Sequence, residues 1–189
     1  MHTIFKASID TSLAHSLNTW GVGHQLITRI AAQDFVYATA LLGIMWVILN
    51  SLKEVKPFQT GAYIKHLVID GFFILVVPVG LTALVAKLVA QVRDRPHPFA
   101  SNANIHEIIS NATGSSFPSV HVALMAAVAS AIYLRNRQAG NGIMWLTIIC
   151  GIAKVAAGVH YPTDIVFGIF LGIVITVGTN RLLMRVMRL

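Results

Sequence analysis

The sequence contains little charge and almost no cysteine. Lysine, arginine, aspartate and glutamate make up 11% of the 189 residues, whereas soluble domains average about 25%. A hydrophobic fraction of 56% excludes a disordered chain, and the single cysteine, Cys150, excludes a scaffold held by internal disulfides. No repeat with a period of roughly 20 to 50 residues is present, which excludes a repeat array. The composition therefore indicates a membrane protein.

Negative charge is scarcer than positive charge. Fourteen lysines and arginines oppose seven acidic residues, for a formal net charge of +7. Such a balance is typical of nucleic-acid binding when the cations cluster on one face. Here they lie between apolar segments, so we predict no nucleic-acid partner and interpret them as signals of membrane topology.

Five apolar segments approach or reach the roughly 20 residues that a helix needs to cross a bilayer. They lie at about residues 35–52, 67–92, 119–134, 142–159 and 163–184. The predicted fold class is all-α, a polytopic membrane helix bundle of about five transmembrane helices that occupies residues 34–189.

Residues 1–33 have a different pattern and are predicted to form a separate N-terminal segment. Charged residues and histidines alternate there with apolar residues at helical spacing, namely Ile4, Leu13, Leu17, Trp20, Ile27 and Ile30. This pattern predicts one or two amphipathic helices in the membrane interface. No compact apolar run follows the first charges, so we do not expect a cleavable signal peptide.

The basic residues predict the orientation of the five spans. If the N-terminus is outside, eight of the 14 lysines and arginines fall on the inner side: Lys53, Lys56, Lys65, Arg135, Arg137, Arg181, Arg185 and Arg188. The positive-inside rule then places the N-terminus outside and the C-terminus in the cytoplasm. The long polar loop 93–117 faces away from the cytoplasm.

This topology brings chemically active residues to one membrane face. Arg95 follows the second span, Ser119 and His121 open the third, and His160 and Asp164 connect the fourth to the fifth. A carboxylate four residues from an imidazole can fix its tautomer and raise the basicity of its other nitrogen. The alternative is that His160 is an interfacial aromatic residue and Asp164 caps the fifth helix.

His121 and Arg95 each have two interpretations. His121 lies at a helix N-terminus, where free amides favour anions, although a single helical histidine is more often structural. Arg95 presents a guanidinium fork that suits phosphate oxygens, and its alternative role is to reach the lipid headgroups.

The ordered motifs resemble a known family. Arg95-Pro96, then Pro118-Ser119-Val120-His121, then Lys154 followed by His160 and Asp164, are similar to the type 2 phosphatidic acid phosphatase (PAP2) superfamily of membrane lipid phosphatases. The stretches 93–99 and 158–164 look most like its bacterial undecaprenyl pyrophosphate phosphatases. The resemblance implies a multi-pass protein of the bacterial inner membrane that removes the terminal phosphate of a lipid diphosphate outside the cytoplasm.

The resemblance also implies a role for each matching residue. His160 is the nucleophile that forms a phosphohistidine, Asp164 orients it, and His121 protonates the leaving oxygen and then activates water. The substrate phosphate is held by Arg95, Lys154, Ser119, Lys87 and the amide of Val120. No metal or other cofactor is implied, and the oligomeric state stays open.

Several positions depart from the family pattern. Lys154 replaces the usual arginine, Ala153 replaces a serine, and Val120 replaces a glycine. The usual lysine before Arg95 would fall at position 88, and Lys87 is one residue early, which turns a helical side chain by about 100°. Arg93 is a possible substitute. These changes concern phosphate affinity and substrate choice more than reaction type.

Three alternative functions remain open at this point. The phosphatase can act on phosphatidic acid or phosphatidylglycerol phosphate instead, the chain can be a transporter with a proton relay, or it can be an inactive protein that binds lipid phosphate. His97 and His106 are interpreted as loop residues without a role; the alternative is a metal site, although their spacing matches no zinc pattern.

Overall fold

The computed structural model describes residues 2–53, 69–110 and 112–187, and every regular element in these ranges is helical. The all-α prediction is confirmed. The helices are α1 (His2–Gly23), α2 (Gln25–Arg29), α3 (Phe35–Lys53), α4 (Val77–Arg93), α5 (Pro98–Ser101), α6 (Val120–Tyr133), α7 (Arg137–Ala156) and α8 (Pro162–Met187), with π-helical segments at Ile30–Asp34 and Ile69–Val76.

Within the described ranges, three helical stretches are long and apolar enough to cross a membrane: Gln25–Asn50, Arg137–Ala156 and Pro162–Arg185. They correspond to the first, fourth and fifth predicted spans. The third span is the shorter α6, and the second continues from the π-helical segment Ile69–Val76 into α4. The start of the second span at 67–68 and the predicted cytoplasmic positions Lys56, Lys65 and Arg188 lie outside the described residues.

Large apolar side chains cover the outer faces of the long helices. Leu41, Ile44 and Ile48 on α3 are exposed, as are Trp145 and Ile149 on α7 and Phe170 and Val174 on α8. Exposed apolar area of this extent is unfavourable in water and favourable against lipid tails. The outer faces therefore fit a membrane protein.

Helix α6 lies at the centre of the bundle and packs most extensively against α7 and α8. Its inward positions are small, since Ala123, Ala126 and Ala127 are fully buried. Gly168 and Gly172 of α8 face them, and a Cβ at Gly172 would lie 2.3 Å from the Ala123 carbonyl oxygen. The glycine pair thus allows close helix packing within the chain.

Helix α1 packs against α7 and α8 through polar residues. Asn18 is 1% exposed, and its amide donates to the carbonyl oxygens of Ala156 at 2.9 Å and His106 at 2.8 Å. Its carbonyl oxygen accepts from the His106 amide at 2.8 Å. These bonds fasten α1 to the end of α7 and to the long loop.

Several large apolar residues of the N-terminal segment face outward, whereas Ala14, Ala31 and Ala32 are buried in the core. Leu13, Trp20 and Ile27 are exposed, whereas the polar Asp10 and Asn18 are buried. The helical chain is continuous from Gln25 through the π-helical segment into α3, so position 33 falls inside a helix rather than at a linker. Placement of residues 1–33 in the membrane interface stays a prediction.

Substitution of Gly172 tests the α6–α8 contact. Gly172→Ala places a methyl group against the Ala123 carbonyl oxygen, and we expect a loss of about 1–3 kcal/mol in stability, the usual effect of overpacking. Thermal unfolding of the detergent-solubilised protein measures it. The matched control is Gly178→Ala on the same helix, where a Cβ meets no atom within 4 Å. Equal melting temperatures for the two variants would contradict the predicted contact.

Candidate active site

A cavity of about 540 Å³ lies at the end of the bundle where the long loop meets α6, α7 and α8. Its wall includes His97 and Thr113 from the loop, Val120 and His121 from the start of α6, Lys154 from α7, His160 from the turn before α8, and Gln33 and Asp34 from the segment before α3. Residues from both predicted segments, 1–33 and 34–189, therefore line one site.

His160 is held at both ring nitrogens. Its Nδ1 lies 2.8 Å from the Ser116 carbonyl oxygen, and because a carbonyl only accepts, Nδ1 carries the proton. Nε2 of the neutral ring then has a lone pair, toward which the Ser119 hydroxyl donates at 3.2 Å. An imidazole fixed in this tautomer presents Nε2 as a base or nucleophile.

Burial sets the protonation of His160, which is 8% exposed. The low-polarity surroundings lower the pKa of its imidazole, and the nearby Asp164 carboxylate opposes this effect without reversing it. The Nδ1–Oδ2 distance to Asp164 is 3.8 Å, too long for a hydrogen bond. A direct Asp164–His160 hydrogen bond, as expected from the spacing, is therefore not formed; the Ser116 carbonyl takes that place.

Asp164 is fully buried and makes two other contacts. Its Oδ2 accepts from the Tyr161 amide at 2.8 Å, so it caps the N-terminus of α8, as the alternative interpretation of the sequence had it. Its Oδ1 accepts from Arg95 Nη1 at 2.7 Å. Pro162 at the first position of α8 also favours this helix start, because its φ is fixed near the helical value and the N–H that it lacks would have no partner within the helix.

Arg95 is engaged by carboxylates rather than open to the cavity. Nη2 donates to Asp10 Oδ2 of α1 at 2.7 Å, and Nη1 donates to Asp164 and to the Thr163 hydroxyl. The guanidinium also lies 3.7 Å from the centre of the Tyr161 ring. Arg95 does not line the cavity, so its direct contact with phosphate is not supported by this geometry.

Lys154 is the most buried cation in the cavity wall, at 5% exposed. Among the described residues, no carboxylate forms an ion pair with it. A buried charge without a partner is unfavourable, so the ammonium group favours an anionic ligand. His121 and Val120 at the start of α6 complete this side of the wall.

The eight predicted site residues thus fall into three groups. His160, His121, Lys154 and Val120 line the cavity, and the buried Ser119 contacts His160. Asp164 and Arg95 form an ion pair behind it. Lys87 lies on the exposed surface of α4 and does not line the cavity, in agreement with its one-residue offset.

Sequence reasoning missed several residues that complete the site. His97 lines the cavity, Ser116 holds His160, and Asp10 holds Arg95. Proximity to Arg95 and Pro96 was the one available signal for His97. Nothing in the sequence could indicate Ser116, which acts through its backbone carbonyl, or Asp10, which lies 85 residues from its partner.

Comparison with known proteins identifies the family. The family model described as "PAP2 superfamily" matches residues 68–188. The chain belongs to the PAP2 superfamily. This match covers α4 to α8 and every cavity residue from the long loop onward, and it makes the protein a member of a phosphatase family.

Two relatives of this PAP2 chain come from Bacillus. The chain is 30% identical over 90 residues to the bacitracin transport permease protein BcrC of Bacillus licheniformis, covering 48% of this chain and 44% of the relative. It is 29% identical over 140 residues to the undecaprenyl-diphosphatase BcrC of Bacillus subtilis, covering 74% of this chain and 63% of the relative. The matched stretches therefore cover less than two thirds of either relative's length.

Two solved structures share the fold of this chain. A transmembrane PAP2-type phosphatidylglycerolphosphate phosphatase from Bacillus subtilis aligns with a TM-score of 0.65 and 18% identity over 93% of this chain and 85% of that one. LpxE of Aquifex aeolicus aligns with a TM-score of 0.55 and 17% identity over 82% and 93%. At this identity the likeness shows the helical fold alone.

Substitution of Asp10 tests the Arg95 network of this PAP2 protein. Asp10→Asn removes one of two carboxylates from the guanidinium, and we expect a loss of about 1–3 kcal/mol, as for a hydrogen bond to a charged group. Thermal unfolding measures it. Asp94→Asn makes the same charge change at an exposed neighbour of Arg95 and serves as the control. Equal effects of the two changes would argue against a specific Asp10–Arg95 bond.

The burial of His160 predicts a pH-dependent stability. Because its folded-state pKa is lowered, the unfolded chain takes up this proton more readily than the folded chain. The contribution of neutral His160 to the free energy of unfolding is complete above the unfolded-state pKa of about 6.5. As the pH falls from there toward the folded-state pKa, this contribution is lost by about 1 kcal/mol per pH unit. Melting curves between about pH 7.5 and pH 5 measure it, and His160→Gln should flatten the profile. Parallel profiles for the two proteins would refute the assignment.

Proposed function

We propose that the protein hydrolyses the terminal phosphate of an isoprenoid diphosphate, with undecaprenyl diphosphate as the substrate class, through a phosphohistidine on His160. One observation carries this proposal: His160 is fixed with Nδ1–H on the Ser116 carbonyl and Nε2 free of a proton, in a cavity that also holds Lys154, which pairs with no carboxylate in the described part of the chain. A neutral, oriented imidazole beside a buried cation suits attack on an anionic phosphorus centre.

In the first step, His160 Nε2 attacks the terminal phosphorus. The N–P bond forms while the bond from phosphorus to the bridging oxygen breaks, and the electron pair leaves with the lipid monophosphate. His121, on the same cavity wall, protonates that oxygen. Lys154 and the α6 amides near Val120 stabilise the charge on the transferring phosphoryl group.

In the second step, water hydrolyses the phosphohistidine. His121, now neutral, takes a proton from the water as its oxygen attacks phosphorus, and the N–P bond breaks to release inorganic phosphate and regenerate His160. Ser119 donates toward Nε2 in the free enzyme and is available to bind a phosphate oxygen when Nε2 is occupied. Arg95 and Asp164 keep the turn that carries His160 in place.

The substrate class rests on the relatives and on the sequence motifs. A relative that matches 74% of this chain is named an undecaprenyl-diphosphatase, and the stretch 93–99 resembles that group. The distribution of basic residues favours a cavity on the outer face of a bacterial inner membrane, with the N-terminus outside and the C-terminus in the cytoplasm.

Phosphate release by the purified protein tests the reaction. The wild type should release phosphate from undecaprenyl diphosphate with a chelator present, His160→Ala should fall to the detergent blank, and His121→Gln should lose about 10²- to 10⁴-fold. The control is His106→Ala, an exposed loop residue outside the cavity. A folded His160→Ala protein with full activity would refute the nucleophile.

A substrate panel at fixed detergent tests the substrate class. Undecaprenyl and farnesyl diphosphate should be hydrolysed faster than phosphatidic acid and phosphatidylglycerol phosphate. The opposite order of rates would refute the proposed substrate class, whereas the proposed phosphatase activity would stand. If the protein binds these lipids but hydrolyses none of them, the result would support an inactive lipid-phosphate binder. If it moves lipid across proteoliposome membranes without phosphate release, the result would support a transporter.

A further inference from the structure

We infer that His97 is a third histidine of the active site, and that its Nε2 binds an oxygen of the substrate's terminal phosphate. The inference rests on the proposed function, because it places the phosphate on His160. It concerns a residue that the sequence alone left without a role.

The ring of His97 is buried and held by neighbouring residues. It is 7% exposed, its Nδ1–H donates to the Val159 carbonyl oxygen, and the Phe99 ring stacks on it with a centroid distance of 5.6 Å. Because Nδ1 holds the proton of the neutral ring, Nε2 is the atom left for another partner.

That atom has no partner in the protein. Across the described residues, Nε2 of His97 is the one buried side-chain nitrogen or oxygen that forms no hydrogen bond. An unsatisfied buried polar atom is unfavourable, and in a native protein such an atom calls for an explanation, for example a catalytic role or a bound water or ion. A ligand that supplies a hydrogen bond to Nε2 removes this penalty.

The surroundings of His97 identify the ligand chemistry. Its ring lines the same cavity as Lys154, His121 and His160, and its centroid lies 5.8 Å from that of His160. A phosphate bonded to one imidazole can reach the other across this gap. The contact is one hydrogen bond between Nε2 and a phosphate oxygen. Either a protonated Nε2 donates to the oxygen or a protonated phosphate oxygen donates to Nε2, and the two atoms are the same in both cases.

His97 also has a structural contact that the test must separate from phosphate binding. Its bond to Val159 supports the backbone next to His160, so loss of the whole ring would disturb the nucleophile indirectly. Asparagine can keep the Nδ1-type bond to Val159 while it removes Nε2, and glutamine places an amide donor near the former Nε2. These two variants give a matched pair.

Calorimetric titration of inorganic phosphate into the full-length protein in detergent tests the inference. We expect His97→Asn to weaken phosphate binding by about 10- to 100-fold, as for loss of a charge-assisted hydrogen bond, and His97→Gln to weaken it less. His106→Asn, outside the cavity, should bind like the wild type. Wild-type affinity in a folded His97→Asn protein would overturn the inference, and so would the absence of phosphate binding by the wild type.

A second measurement uses the unsubstituted protein and covers a His97→Asn variant that fails to fold. In protein labelled with 15N-histidine, saturating inorganic phosphate should shift the Nε2 resonance of His97 and leave that of the exposed His106 unchanged. An unchanged His97 Nε2 resonance at saturating phosphate would overturn the inference.

Kinetics with undecaprenyl diphosphate separate this inference from the proposed function. A His97→Asn protein with wild-type KM and kcat would refute the role of His97 while the phosphatase stands. A wild type that binds phosphate through His97 but hydrolyses no lipid diphosphate would refute the proposed function while the His97 contact stands.

Discussion

The guanidinium of Arg95 connects the parts of the chain that build the site. It binds Asp10 of α1 and Asp164 of α8, each at 2.7 Å. The backbone of Arg95 meets the far end of the long loop, since its amide donates to the Ser115 hydroxyl and its carbonyl accepts from the Ser116 amide at 2.7 Å. The Ser116 carbonyl in turn holds His160. The position of the candidate nucleophile therefore depends on this one buried network.

The network also satisfies a group that is difficult to bury. Asp164 has no solvent exposure, and an isolated carboxylate in such a place would be strongly unfavourable. The Arg95 guanidinium and the Tyr161 amide supply charge and hydrogen bonds to its two oxygens. Asp164 thus stabilises the start of α8 and contributes its charge, at 3.8 Å, to the environment of His160.

The cavity wall differs from the Arg95 network in how its charges are paired. Lys154 lies in its wall without a carboxylate partner among the described residues, and three imidazoles line it, from His97, His121 and His160. A buried cation and several imidazole rings suit a phosphate group, because they supply positive charge and hydrogen-bonding nitrogens to its oxygens. Lysine in place of the usual arginine provides a point charge without the bidentate fork of a guanidinium, and His97 is the further phosphate contact that we propose.

The sequence predicted more of the fold than of the contacts. Apolar runs of helical length and their outward faces are local properties, so the helices of the first, fourth and fifth spans lay where expected. The fourth ends at Ala156 rather than near 159, because Gly158 turns the chain with φ +79° against the His106 carbonyl. The length of α6 was also close to expectation.

The candidate site, like the fold, was partly determined by the sequence and partly by the tertiary structure. Residue order by itself determined a helical membrane chain, the PAP2 motifs, and the histidine, aspartate and lysine that meet at one end of the bundle. Only the tertiary structure decided that Ser116 rather than Asp164 bonds His160 and that Arg95 is held by Asp10. It also decided that His97 lines the cavity with a buried Nε2 that finds no partner among the described residues. Motifs specify which residue types are present, whereas hydrogen bonds between segments 44 to 85 residues apart depend on how the helices pack.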